Sequence, residues 1–190
     1  MYDKEFDAIR QAVYDRLKLL DPKLTYHNIA HTMDVLKQAE RIARKEGINE
    51  SDIRILKVAA LYHDSGFLKT YKNHEEMSCS VFFEDSARFH FTSEEEEKIT
   101  GLILATKVPQ EPGNLLEQII CDADLDYLGR NDFFTIGQEL HKEFMAFGIV
   151  KSNEEWEQLQ MNFLKKHQYH THTSRQEREP VKQKNIQQLA

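Results

Sequence analysis

The stretch AALYHDSGFL (59–68) decides the reading of this 190-residue chain. An apolar run ends in two adjacent residues that chelate metals well, His63 and Asp64, and a glycine turn follows. Apolar runs bury themselves, and an unpaired carboxylate buried beside an imidazole is costly. A divalent cation relieves the conflict, because both groups coordinate it and its charge cancels the penalty of the buried carboxylate.

Outward from this stretch the periodic segments read as helices. In FDAIRQAVYDRLKLL the residues Phe6, Ile9, Val13, Leu17 and Leu20 form one helical stripe. DPKLTYHN breaks it, and a second helix is predicted over about 29–45, stopped by Gly47. Ser51 and Asp52 can cap a third, IRILKVAALYH. A fourth is predicted over about 74–90. A fifth starts at Ser93, where SEEE offers a capping box with Glu96. Pro109, Pro112 and Gly113 make a loop before a sixth, NLLEQIICDADLDYLG, which Gly129 ends; two or three more helices follow. No stretch alternates well enough for a strand, and no repeat or linker is evident. The expected fold is an all-α, single-domain helical bundle over residues 1–175, with 176–190 as a polar C-terminal helix or tail.

Composition narrows the classes of function. Hydrophobic residues make up 40% and charged residues 30%, as in an ordinary soluble protein. No window approaches the roughly 18 apolar residues of a membrane span. The first twenty residues mix charged with apolar side chains, which suits an amphipathic helix and not a secretory signal. Cys79 and Cys121, far apart and in apolar surroundings, suggest reduced thiols and a cytoplasmic setting. A net charge of −7 argues against a nucleic-acid surface. An anionic substrate must then be held by a few local cations or by a metal. No oligomerisation signal stands out, although an exposed apolar helix face can make a homodimer.

The polar residues that break the apolar pattern are candidate ligands. TYHNIAHTMDV places His27 and His31 four residues apart near the start of the second helix, and NHEE opens the fourth. ICDADLDYLG puts Asp122, Asp124 and Asp126 inside an otherwise apolar helix. Each feature alone is weak, since HxxxH arises by chance in many helices. A bundle can nevertheless bring four such positions into one core site.

The order of these motifs resembles the HD superfamily of metal-dependent phosphohydrolases, whose pattern is His, then His-Asp, then a distant Asp. The matching residues are His31 in YHNIAHTMDV, His63-Asp64 in LYHDSGF and Asp124 in CDADLDYLG, so the likeness spans about 26–130. Asp122 is the alternative fourth ligand. Asp126, two residues on from Asp124, is expected to point away, outside the metal shell or at the surface. The resemblance implies an all-α bundle and hydrolysis of a phosphoric ester or anhydride, commonly in a nucleotide, by a metal-activated water. Two His and two Asp suit Mn²⁺, Fe²⁺, Co²⁺, Ni²⁺ or Zn²⁺. One ion is expected and not two: His74 matches one second-metal position, but Thr106-Lys107 stands where the other histidine would fall.

On that reading His31, His63, Asp64 and Asp124 hold the metal, and Asp64, His63, His74 and Lys107 form the catalytic set. His27, Lys69, Thr106, Arg130 and His170 are the expected substrate contacts, with Thr171 beside His170. Phe67 and Tyr127 flank the motifs and are candidates to stack on a base. The alternative function is a non-catalytic, metal-containing protein that senses a nucleotide.

Overall fold

Ile53, Ile55, Leu56, Val58, Ala59, Ala60, Leu61 and Tyr62 are all buried, so the helix that carries them is apolar nearly all round. Such a helix belongs at the centre of a bundle. A computed structural model describes the backbone of residues 2–189 and the side chains of residues 4–189. In it the central helix is α3 (Glu50–Tyr62), flanked by α1 (Tyr2–Leu17) and α2 (Ile29–Lys45). After a 3₁₀ turn over Ser65–Leu68 come α4 (His74–Ser86), α5 (Ser93–Ala105) and α6 (Leu115–Asp124). A second 3₁₀ turn, Asp126–Gly129, leads to α7 (Phe133–Ala146), α8 (Asn153–Lys166), α9 (His172–Glu177) and α10 (Glu179–Leu189). No strand occurs among the described residues, so the chain is an all-α bundle.

The helices wrap α3, against which α1, α2, α4, α5 and α6 all pack. Each fully buried Leu or Ile of this core contributes about 1.5–3 kcal/mol. A second apolar cluster joins Tyr26, Leu125, Tyr127, Leu128, Phe133, Leu164 and Tyr169 beneath α7, α8 and α10. The ends of α3 and α6 lie between the two clusters.

Local signals place the helix ends, with small shifts from the sequence reading. Asn28 caps α2, its side chain accepting from the N–H groups of Ala30 and His31. Asn49, and not Ser51 or Asp52, caps α3. The capping box of α5 is Thr92 with Glu95, one residue earlier than SEEE suggests. α4 stops at Ser86 and not His90, because the chain tightens into i→i−3 turns and His90 takes a left-handed conformation (φ 50°). α6 ends at Asp124, short of Gly129. Among the described residues four helices follow it, not two or three.

Candidate metal centre and adjoining cavity

The cap on Asn28 fixes His31 in the first turn of α2, directed toward the end of α3. There His63 is fully buried, and its Nδ1 lies 2.8 Å from the Ala60 carbonyl oxygen. A carbonyl can only accept, so Nδ1 carries the proton and Nε2 presents its lone pair. That Nε2 lies 3.3 Å from Nε2 of His31.

Asp64 starts the tight turn that follows. The Gly66 N–H donates to Ser78 Oγ at 2.8 Å, and Ser78 donates to the His63 carbonyl at 2.6 Å. A Cβ on Gly66 would stand 1.9 Å from the His74 carbonyl oxygen, so only glycine lets the turn lie this close to α4. The Asp64 Oδ2 thereby reaches His31 Nε2 at 3.3 Å and His63 Nε2 at 3.2 Å. Its Oδ1 lies 3.3 Å from His74 Nε2. Asp124, the last residue of α6, brings Oδ1 to 3.2 Å from His31 and 3.5 Å from His63. Its Oδ2 accepts from Gln110 at 3.3 Å.

His31, His63 and Asp124 offer ligand atoms that all lie within 4.8 Å of one another. Asp64 falls outside that mutual group and meets the same two nitrogens from another side. Ligand atoms about 2.1 Å from one ion and about 90–110° apart stand roughly 3.0–3.4 Å from each other. The observed nitrogen–oxygen separations of 3.2–3.5 Å are close to that spacing. Asp64 Oδ2 is also buried without a hydrogen bond of acceptable geometry, although two imidazole nitrogens face it. An orphaned carboxylate oxygen converging with two lone-pair nitrogens fits a divalent cation.

The electrostatics point the same way. Burial opposes charge on His31, but Asp124 and Asp64 outweigh it and raise its pKa to about 9. His63 is raised in the same way, chiefly against its burial and by Asp64. Burial pushes Asp64 up, yet His63, His31 and His74 hold it well below the usual carboxylate range; Asp124 is brought down to about 2 by His31 and His63.

The other aspartates of α6 and its following turn do different work. Asp122 accepts from the backbone N–H groups of His170 and Thr171, both at 2.8 Å, and from the Thr171 hydroxyl at 2.7 Å. It anchors the segment before α9 and turns away from the histidines. Asp126 is fully buried, not at the surface, and takes Arg41 at 3.0 Å and Arg178 at 2.8 Å.

A cavity of about 350 Å³ opens beside the centre. Tyr26, His27, Asp64, His74, Thr106 and Asp124 line one end, and Leu140, Phe144, Ile149, Trp156, Leu159 and Phe163 line the other. His27 is held there by Glu143, a fully buried carboxylate of α7 that pairs with its Nδ1. Glu143 also accepts from the N–H groups of Tyr26 (2.9 Å) and His27 (3.0 Å) and from the Tyr71 hydroxyl (3.0 Å). Phe67 lies against the rings of His27 (4.4 Å) and His74 (4.0 Å) and is not among the residues that line the cavity.

Four expected site residues are not brought to this cavity. Lys107 is exposed and ion-paired with Glu76 of α4. Lys69 faces a separate hollow near Leu19 and Pro22, because the 3₁₀ turn carries it round to that side. Arg130 lines a separate hollow that reaches His31 and Asp124 from the other side of Tyr26 and Tyr127, and its guanidinium is taken by Asp34 and Asp132. His170 gives its backbone to Asp122 while its side chain lines a hollow with Val108, Gln110 and His167. Glu143, Gln110 and the apolar wall of α7 and α8 were not read from the sequence.

An all-α bundle with a His, His-Asp and Asp cluster at its centre defines a metal-centred helical domain. The family model of the HD domain matches residues 28–127, more than half of the chain, and the chain belongs to that family, whose members are generally metal-dependent hydrolases. No match was found among curated proteins. A crystal structure of a Lactobacillus plantarum protein, a structural-genomics target, superposes with a TM-score of 0.67 at 18% identity. It covers 97% of this chain and 94% of its own, a likeness of fold. No helix among the described residues is long and apolar enough to cross a membrane.

Proposed function

We propose that the chain is a phosphohydrolase that splits a phosphoric ester or anhydride of a small molecule at this centre. The observation that carries the reading is the grouping of His31, His63 and Asp124, with Asp64 beside both histidines, at one end of the cavity. Membership of the HD domain family supports it. The four residues would hold one divalent transition-metal ion, which when bound acidifies water and polarises a phosphoryl oxygen. In the reaction the water oxygen forms the new P–O bond, and the ester P–O bond breaks with its electron pair on the alcohol oxygen. A proton passes to that oxygen, and the products are the alcohol and phosphate.

The chain's own residues divide the remaining work. His74, 3.3 Å from the second oxygen of Asp64, orients that carboxylate and faces the cavity. Glu143 fixes the His27 ring by accepting from Nδ1, which leaves Nε2 as the edge available to substrate. Thr106 lines the cavity, but its hydroxyl already donates to the Ile103 carbonyl at 2.7 Å, so it offers a lone pair to substrate. The apolar walls exclude water from the side opposite the ligands. The test is a panel of phosphate esters and anhydrides assayed with each of Mn²⁺, Fe²⁺, Co²⁺, Ni²⁺ and Zn²⁺. Phosphate release that disappears in Asp64→Ala is expected; a panel without turnover under any of these ions overturns the proposal.

A further inference from the structure

The walls of the cavity carry chemical information that the metal centre does not. Leu140 and Phe144 of α7, Trp156, Leu159 and Phe163 of α8, and Ile149 between the helices form one side of it. These helices lie outside the residues matched to the HD domain. Among the described residues no lysine or arginine lines the cavity, while the carboxylates of Asp64, Glu75 and Asp124 do. Outside the cavity, Lys107 is paired with Glu76, Arg130 shares a neighbouring hollow with His31 and Asp124 but is paired with Asp34 and Asp132, and Lys166 lines a third hollow beyond Val108 and Phe163.

A polyphosphate chain is ordinarily held by several Arg or Lys donors as well as a metal, because each phosphoryl group carries charge into a dry site. Here one ion can compensate one phosphoryl group, and a second or third would meet no lysine or arginine in the lining, only polar side chains such as Tyr26, His27 and Gln160, carboxylates and apolar walls. The organic part of the substrate faces a similar limit. Ribose hydroxyls packed against leucine and phenylalanine would lose water without replacement, at a cost of about 1–3 kcal/mol each. Gln160 is the only polar side chain that α8 contributes. A ring or branched alkyl group gains from the same walls, and about 350 Å³ lies within the range of ligand pockets.

We propose that the substrate is a phosphoric monoester of an apolar alcohol, with its one phosphoryl group at the metal ligands and its organic group against α7 and α8. This rests on the phosphohydrolase reading and narrows it away from nucleotides.

The chain contains a single tryptophan, and Trp156 lines the cavity, stacked on His141 at 5.1 Å. Its fluorescence therefore reports occupancy independently of turnover. The probes are 3-phenylpropyl phosphate and propyl phosphate, whose alkoxide leaving groups are alike, the inert 3-phenylpropylphosphonate, and AMP and ATP. The phenyl ester is expected to exceed the propyl ester in kcat/KM by about 100-fold, from the extra apolar surface buried. It should exceed both nucleotides as well. The phosphonate should shift Trp156 emission saturably, and ATP should not. Leu159→Arg, at a position 40% exposed and so able to keep its charge wet, should collapse the ratio of the two alkyl esters toward unity.

Equal kcat/KM for the two alkyl esters, or preference for AMP or ATP, would overturn the substrate class and leave the hydrolase reading intact. Saturable phosphonate binding without hydrolysis of any ester would overturn the hydrolase reading and uphold the cavity's ligand class.

Discussion

Glu143→Ala tests whether the cavity is built as described. The carboxylate is fully buried and serves four donors: the N–H groups of Tyr26 and His27, the Tyr71 hydroxyl and His27 Nδ1. A hydrogen bond to a charged acceptor contributes about 1.5–3 kcal/mol, so the four together have a gross value near 6–12 kcal/mol. Water entering the truncated site and relaxation of the unfolded chain reduce the net loss to about 3–5 kcal/mol, the upper end for single substitutions. At this chain length each kcal/mol moves Tm by about 2–4 °C, so calorimetry should show a fall of about 6–20 °C. Glu143→Gln keeps a carbonyl oxygen for the two backbone donors and should fall by only about 2–8 °C. Burial raises the Glu143 pKa, but His27 and the backbone donors bring it below the ordinary 4.5. Its contribution is thus complete above pH 4.5 and fades as pH drops toward the depressed folded value, so wild type and Glu143→Ala should converge in acid. A fall in Tm below about 2 °C for Glu143→Ala at pH 7 would refute the reasoning.

Other predictions rest on separate features. Gly66→Ala places a methyl 1.9 Å from the His74 carbonyl oxygen and 2.7 Å from the Ser78 nitrogen, so α4 must move away from Asp64. Loss of more than about 3 kcal/mol in denaturant unfolding, with reduced metal uptake, is expected. Lys107→Ala should leave kcat/KM unchanged within about twofold, because an exposed ion pair contributes little; a larger loss would place Lys107 on the substrate. Burial, and then the Lys182 ammonium, hold His167 down to about 3 against an ordinary 6.5. The unfolded chain therefore takes up this proton first, and stability should fall as pH drops from 6.5 toward 3. His167→Phe should flatten that limb in a urea series run at several pH values, and an unchanged slope would exclude the residue.

The parts of the site legible in the sequence were those whose chemistry conflicts with their local pattern. A carboxylate at the end of the apolar α3 run, and another at the end of α6, break a simple periodicity, and both face the histidines. The helices themselves followed from periodicity and breakers, and α2 spans Ile29–Lys45 as expected. The structure places residues away from the expected cavity where tertiary contacts override local pattern. Lys69 and Arg130 sit near the motifs in sequence, but a 3₁₀ turn needs fewer residues per turn than an α-helix and carries each side chain round to another face. Glu143 and the wall of α7 and α8 could not be placed, because pairing over more than a hundred residues of separation leaves no local signature. Asp122 and Asp124 share a helix and differ only in which neighbour each faces; a single sequence does not contain the segment at 170–171 as a neighbour of α6.

The most direct test of the central claim is the metal content of protein purified without chelator or metal-affinity chromatography, in wild type, Asp64→Ala and Asp122→Asn. The account predicts about one transition-metal ion per chain in wild type and in Asp122→Asn, and its loss in Asp64→Ala. No metal in the wild type, before or after reconstitution, would contradict it, as would full occupancy in Asp64→Ala.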